Sequence, residues 1–382
     1  MGHSGRALSL VLLFLAVACS APTAAPAPAA SMPAAGGDDW SSVVDAARRE
    51  GEVNIYGGIS GGMREAIIAP FEKAYPGIKL NGTFGPSNDI VPRIVAEREA
   101  RKFIPDVIVG PATQAVFILK PAGAVAPLEP AFLLPEVTDL SLWYQNRRWW
   151  VDANPPFTTL AFQGYVGTTI SYNTHLVDPK EFTSFKDLLN PKWKGKIVSN
   201  DIRLAGQGGT QIRFMFNHPD LGVDFIDRLF GEQGVTFSTD HRQMIDWIAQ
   251  GRYPIGLFVS STQLKSAADL GLPVAEVVGD ALREGAPISI GGGTINLADT
   301  APHPNAARVF INWLLSREGQ LSWQENVQQP SLRLDIARTG ADPAAVPKPG
   351  VKYVDGGTEE FFSTSTEEIA VIVNAAMERS KL

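Results

Sequence analysis

Seven short stretches of the 382-residue chain carry residue types that can bind or react. The first is Gly57-Gly58-Ile59-Ser60-Gly61-Gly62, whose Gly58-Ile59-Ser60-Gly61-Gly62 core satisfies the G-x-S-x-G spacing of a serine nucleophile elbow. A hydrolase would need a histidine partner, and His175, His218, His241 and His303 are available beyond the N-terminal region. Two features weaken that chemistry. The elbow normally follows several strands whereas this loop follows the first, and no HGGG-like oxyanion motif is present. Glycines also let a backbone approach a ligand closely, and free N–H groups at a helix start attract an anion. Gly58, Ser60 and Gly61 are therefore expected to bind ligand, with a tight turn lacking any ligand contact as the alternative.

The second stretch runs over residues 199–210 and contains Asp201, Arg203 and Gly208. Arg203 has the fork needed to hold a carboxylate or phosphate in bidentate fashion, or it pairs locally with Asp201. The Gly206-Gln207-Gly208-Gly209 run fails the G-x-G-x-x-G pattern because position 211 is Gln, so a dinucleotide site is not supported. The third stretch, Ser260-Ser261-Thr262, offers three hydroxyls for hydrogen bonding, or a helix N-cap. Gly110 and Gly292, each in a glycine-bearing loop beside a strand, complete the expected ligand set. The aromatic group Trp143, Tyr144, Trp149 and Trp150 can stack on a ring or cation, but buried packing is the commoner fate of such residues.

The last stretch holds the one cysteine. Residues 7–18 are a twelve-residue apolar run preceded by Arg6, shorter than the ~20 residues that span a bilayer and suited to a secretory signal. Ala16-Val17-Ala18-Cys19 resembles a bacterial lipobox, which implies lipidation of Cys19; a plain secretory cleavage site is the alternative. The Ala/Pro-rich segment up to residue 39 suits a semi-rigid tether.

Composition excludes several classes. A single cysteine cannot form an intramolecular disulfide, a thiolate zinc site or an iron–sulfur cluster. With 33 Lys+Arg against 40 Asp+Glu, the net charge is −7, and no basic cluster of the kind that displaces counterions from nucleic acid is present.

The elements that must hold these loops alternate in type. Residues 53–56, 78–84 and 106–109 read as buried strands, and 63–75 and 89–102 as helices, which predicts βαβ units. A second series follows, with strands at 196–199, 235–237, 253–259 and 274–277. Its helices fall at 211–216, 223–230 and 242–250. Two alternating runs at 157–162 and 165–171 read as strands passing between the two units.

Three stretches carry a family resemblance. Residues 45–56 (Asp-Ala-Ala-Arg-Arg-Glu-Gly-Glu-Val-Asn-Ile-Tyr), 185–197 (Phe-Lys-Asp-Leu-Leu-Asn-Pro-Lys-Trp-Lys-Gly-Lys-Ile) and 303–320 are similar to type 1 extracellular solute-binding proteins of ABC importers, ferric-iron-binding subgroup. The resemblance implies a type II periplasmic-binding-protein-like α/β fold, with two α/β lobes joined by crossover strands and a ligand cleft between them. Its expected boundaries are a signal at 1–18, a tether at 19–39, lobe 1 at 40–119, lobe 2 at 120–284, a return to lobe 1 at 285–328, and a C-terminal helical segment at 329–382 packing on lobe 2. It implies no catalysis and no cofactor, a monomer anchored to the membrane by lipid, an ABC permease as partner, and no nucleic acid. Ferric-binding relatives carry two adjacent tyrosines where Ser260-Ser261-Thr262 stands; hydroxyls that do not ionise near neutral pH are poor iron(III) ligands. A small organic anion or a chelated metal is the expected ligand, because helix N-termini and Arg203 favour negative charge.

Overall fold

A computed structural model describes residues 39–58, 61–167, 170–203, 208–277 and 279–379. Cys19, the signal and nearly all of the tether lie outside the described residues, as does Ser60.

The first series runs α1 (Trp40–Glu50), β1 (Glu52–Gly58), α2 (Met63–Ala74), β2 (Lys79–Gly85), α3 (Ser87–Glu99), β3 (Val107–Val109) and the short α4 (Ala112–Gln114). It continues through β4 (Val125–Ala126), α5 (Pro135–Thr138), β5 (Trp149–Trp150) and β6 (Leu160–Ala161). A crossing follows at β7 (Tyr165–Val166), and then the second series: β8 (Ile170–Asn173), β9 (Ile197–Asn200), α6 (Gly209–Asn217), α7 (Gly222–Glu232) and β10 (Thr236–Ser238). This series ends with α8 (His241–Ala249), β11 (Ile255–Leu257), α9 (Ser261–Asp269) and β12 (Val274–Glu276). The chain returns through β13 (Pro287–Ser289) to β14 (Thr294–Ala298), α10 (Pro304–Leu315) and α11 (Arg317–Val327). It crosses once more at β15 (Val354–Asp355) before α12 (Glu359–Ser363) and α13 (Thr366–Arg379).

These elements form two α/β lobes. The first sheet has the order β2-β1-β3-β14-β6-β5, with β4 also on β14, and the second the order β10-β9-β11-β8-β12. Strands β1, β2 and β3 are parallel, as are β9, β10 and β11, which is what strand–helix–strand connections require. Both sheets are covered on two faces. In β1 and β3, Val53, Ile55, Val107 and Val109 point into one core, which contains Phe71, Phe310 and Trp313. Tyr56 and Ile108, one residue out of phase, point into the other core, with Ile90, Val91 and Leu119. Burial on both faces explains why these strands are mostly apolar rather than strictly alternating.

The connecting strands make a third, small sheet of order β15-β13-β7. It takes one strand from each of the three passages between the lobes, so the chain crosses three times. The expected second-lobe stretch 120–284 differs at its start: β4, β5 and β6 hydrogen-bond into the first sheet, and Leu128, Trp143, Trp149 and Phe162 fill the first core. The reason is physical. The aromatic residues at 143–150 need more apolar volume than a crossing segment offers, and the Trp149–Trp150 strand finds its partner in Leu160–Ala161. The C-terminal helix α13 packs on α6 and α7, with Ile369, Val373 and Ala376 in the second core.

Candidate functional site

Between the lobes lies a cleft of about 540 Å³. Each wall is built where a strand ends and a helix begins, the usual place for a ligand in open α/β sheets. From the first lobe come Gly110 and the α4 turn, with Thr113 and Gln114. From the second come the start of α6, with Gly208 to Gln211, and the start of α9, with Phe258 to Thr262. The floor is the crossing sheet, through Tyr165, Ser289 and Gly291, and Gln329 and Phe362 close one side.

Helix α6 opens on Gly208 at φ 92°, where no side chain is available to cap the first N–H groups. Glycine is required there twice over: the left-handed backbone disfavours any Cβ, and a Cβ would stand 2.8 Å from Phe258 Cβ. Phe258 is itself left-handed at φ 58° and buried, a strained turn that swings the chain from β11 into α9. At the α9 N-cap, the Ser260 side chain makes no capping hydrogen bond although the residue is buried. The Ser260 N–H instead donates to His241 Nδ1 at 3.3 Å. Burial pushes the His241 pKa down, keeping the imidazole neutral and Nδ1 free to accept. Neither N-cap residue caps its helix with a side chain, so both helices turn their N-terminal ends to the cleft, where a helix dipole carries about half a positive charge.

Arg213 is the only charged side chain lining the cleft among the described residues. Side chains lean toward the N-terminus of their helix, so a residue four places after Gly209 overlies the first turn. Nη1 of Arg213 indeed lies 3.3 Å from where a Cβ on Gly209 would be. Its Nε donates to the Thr364 carbonyl at 2.7 Å, and the Phe362 ring centroid is 5.9 Å from the guanidinium carbon. The Arg213 pKa is lowered, by burial first, with the charge of Glu367 opposing. This half-buried cation has desolvation to recover and, among the described residues, no carboxylate bonded to it. Tyr165 hydrogen-bonds to Ser289, its partner across the antiparallel pair, and burial pushes the phenol pKa up, so the hydroxyl keeps its proton at neutral pH.

The sequence-derived site residues divide three ways. Gly110, Gly208, Ser260, Ser261 and Thr262 all line the cleft. Gly58 and Gly292 do not, but both abut Gly110: a Cβ at Gly110 would be 3.3 Å from Gly292 O and 3.7 Å from Gly58 Cα. Gly61 is exposed with open space around it. Its neighbour Gly62 caps α2 at φ 78°, where a Cβ would fall 2.0 Å from Asn326 O, so packing against α11 accounts for that glycine. Asp201 and Arg203 also lie off the cleft lining. The Arg203 guanidinium is bidentate to Asp201, Nε to Oδ1 and Nη2 to Oδ2 both at 2.7 Å, and stacks 4.5 Å from the Phe237 ring. The arginine that sequence reasoning missed is Arg213, together with Tyr165, Gln211 and Gln329.

Nothing described supports the hydrolase chemistry. A hydrogen-bonded histidine–aspartate pair among the described residues, His303 Nδ1 to Asp106 Oδ2 at 2.9 Å, also reaches Asn54 near the start of β1. Gly58 ends that strand four residues on, about 13 Å away at strand rise. Among the described residues, no group of three or more His, Cys, Asp or Glu side chains is arranged to hold a metal ion.

Comparisons with known proteins agree with this architecture. Among curated proteins, none matches the chain by sequence. The iron-bound HitA of Pseudomonas aeruginosa superposes with a TM-score of 0.61 at 18% identity, covering 85% of this chain and 99% of that one. A Bordetella ferric binding protein gives 0.63 at 18% identity, covering 85% and 98%. AfuA of Actinobacillus pleuropneumoniae, with fructose-6-phosphate bound, gives 0.57 at 19% identity, covering 87% and 99%. At these identities the likeness is one of fold. Residues 52–326 match the model of the bacterial extracellular solute-binding protein family, and the chain belongs to that family.

Proposed function

We propose that this protein captures a small anionic solute from outside the cytoplasm and delivers it to an ABC permease, without chemical conversion. The observation that carries the reading is the cleft's electrostatics: one half-buried arginine, two helix N-termini and a ring of neutral hydroxyl and amide groups, with no carboxylate lining it among the described residues. Such a surface stabilises a phosphate or carboxylate and disfavours an amine or a bare cation. Naked iron(III) fits poorly, since among the described residues Tyr165 is the single phenol in the lining and burial pushes its pKa up. An iron chelate carrying net negative charge remains compatible. Ligand touching both walls would favour the closed arrangement of the lobes, with the three-strand crossing sheet as the hinge.

In this reading residues 1–18 are a removed signal, Cys19 carries lipid, and the Ala/Pro segment holds a monomeric two-lobed domain at the outer face of the membrane. A thermal-shift screen of residues 39–382 with phosphate esters, carboxylates, amines, ferric citrate and a free ferric salt tests the ligand class. Ligand at 100 times its dissociation constant stabilises the fold by about 2.7 kcal/mol. Stabilisation by amines or by the free ferric salt, with none by any anion, would refute it.

A further inference from the structure

The arginine that lines the cleft is held by a segment that also grips the opposite lobe. Nε of Arg213 donates to the Thr364 carbonyl at 2.7 Å, at the residue that follows α12. Thr364 is fixed in turn to α6, because both ends of the Asn217 amide reach its hydroxyl, Nδ2 at 3.1 Å and Oδ1 at 3.2 Å.

The other end of α12 belongs to the first lobe. The Glu359 N–H donates to the Val151 carbonyl at 2.7 Å, and Oε2 of its carboxylate accepts from the Ala153 N–H at 2.9 Å. Val151 sits in the first core. Just upstream, Arg147 bonds Asp355 at 2.6 Å, and the Gly356 N–H donates to Ile288 of the crossing sheet at 3.0 Å. Between the two ends, Phe361 enters the second core, while Phe362 packs against both cores and lines the cleft. The five residues of α12 therefore reach from one lobe to the other along the side of the cleft. They lie beyond the family-matched residues 52–326.

We propose that this C-terminal segment is a strap that positions Arg213 for the anion, with Glu359 as its anchor on the first lobe and the Thr364–Asn217 pair as its anchor on the second. The inference rests on the anion-binding reading above and adds the residues that aim the arginine. Glu359, Thr364 and Asn217 are absent from the cleft lining, so they are positioning residues that act through Arg213. A free arginine side chain samples many rotamers and loses that freedom when it grips a ligand. Tying Nε to a carbonyl takes part of that loss before the ligand arrives and leaves Nη1 beside the first turn of α6. The carbonyl is only as well placed as the strap that carries it. Because Asn217 is exposed, its contact with Thr364 holds weakly by itself, and the two bonds from Glu359 fix the start of α12.

Calorimetric titration of the purified protein with methyl phosphate and with acetate tests this in a double-mutant cycle. Glu359→Ala removes the side-chain anchor and should weaken anion binding about two- to tenfold. Loss of a negative charge would by itself favour an anion, so weakening has a positional origin. Glu359→Gln keeps an acceptor for the Ala153 N–H and should bind like wild type. Thr364→Ala should weaken binding in the same direction, and Thr364→Ser should restore it. In an Arg213→Met background no guanidinium remains to be aimed, so Glu359→Ala and Thr364→Ala should leave the residual affinity unchanged within about twofold. A single cooperative melting transition shows that each variant folds. Weakening of equal size in both backgrounds, or Glu359→Ala binding like wild type, overturns the strap while leaving the anion site intact. Wild-type protein that binds neither anion sinks the anion-binding reading and this one with it.

Discussion

Arg213→Met removes the one charged side chain that lines the cleft among the described residues while keeping most of the apolar stem. The guanidinium is held by its Nε bond to the Thr364 carbonyl at 2.7 Å and lies against Phe362, with Nη1 beside the first turn of α6. A charge-assisted hydrogen bond to an anion contributes about 1.5–3 kcal/mol, and each 1.4 kcal/mol is tenfold in affinity. The variant should therefore bind its anion about ten- to a hundredfold more weakly. Loss of the Thr364 bond costs the unliganded fold about 1 kcal/mol, lowering the melting temperature by about 2–4 °C. Arg213→Lys should fall between, because an ammonium keeps the charge without the fork. Isothermal titration calorimetry at two salt concentrations reads the affinity, and the wild-type advantage should shrink as salt rises. Binding by Arg213→Met within twofold of wild type would refute the assignment of this residue to the ligand.

Three further outcomes are expected. Gly208→Ala places a Cβ 2.8 Å from Phe258 Cβ at a left-handed position, so chemical denaturation should show a loss of about 1–3 kcal/mol, with weaker anion binding because the α6 start is displaced. Hydrogen bonds from Arg203 hold the Asp201 carboxyl below its usual value, so the pair's stabilisation is present above the ordinary carboxylate pKa of about 3.9 and is lost as pH falls through the lowered one. Asp201→Asn should accordingly be less stable than wild type at neutral pH and converge with it in acid, while anion affinity stays unchanged because the pair lies off the cleft lining. Cys19→Ala should move the full-length protein from the membrane fraction to the soluble extracytoplasmic fraction; retention in the membrane would remove the lipid anchor from the account.

Much of the fold was legible because both sheets are buried on two faces. Short, mostly apolar runs such as 53–56 and 106–109, each with one polar residue (Asn54, Asp106), suit strands at that length, and the intervening helices announce themselves by period. The observed β1, α2, β2 and β3 fall within three residues of those readings at each end. The lobe assignment of residues 125–161 was not legible: two-residue strands carry no periodicity, and their partner β14 lies more than a hundred residues away. The cleft loops at Gly110, Gly208 and Ser260–Thr262 were readable as strand-to-helix turns. Arg203 was the misleading signal, since its carboxylate partner two residues back satisfies it locally. Arg213 is found only by asking where a side chain on the first turn and a half of α6 points, which needs the helix start at Gly209. Tyr165 and Gln329 come from crossing segments, whose position depends on how the two lobes meet.

The most direct test of the central claim is a crystal structure of the protein saturated with the tightest-binding anion from the screen. The account predicts anion oxygens about 2.7–3.1 Å from the Arg213 guanidinium and from backbone N–H groups in the first turn of α6 or α9. An anion bound elsewhere, with Arg213 still bonded only to Thr364, would contradict it.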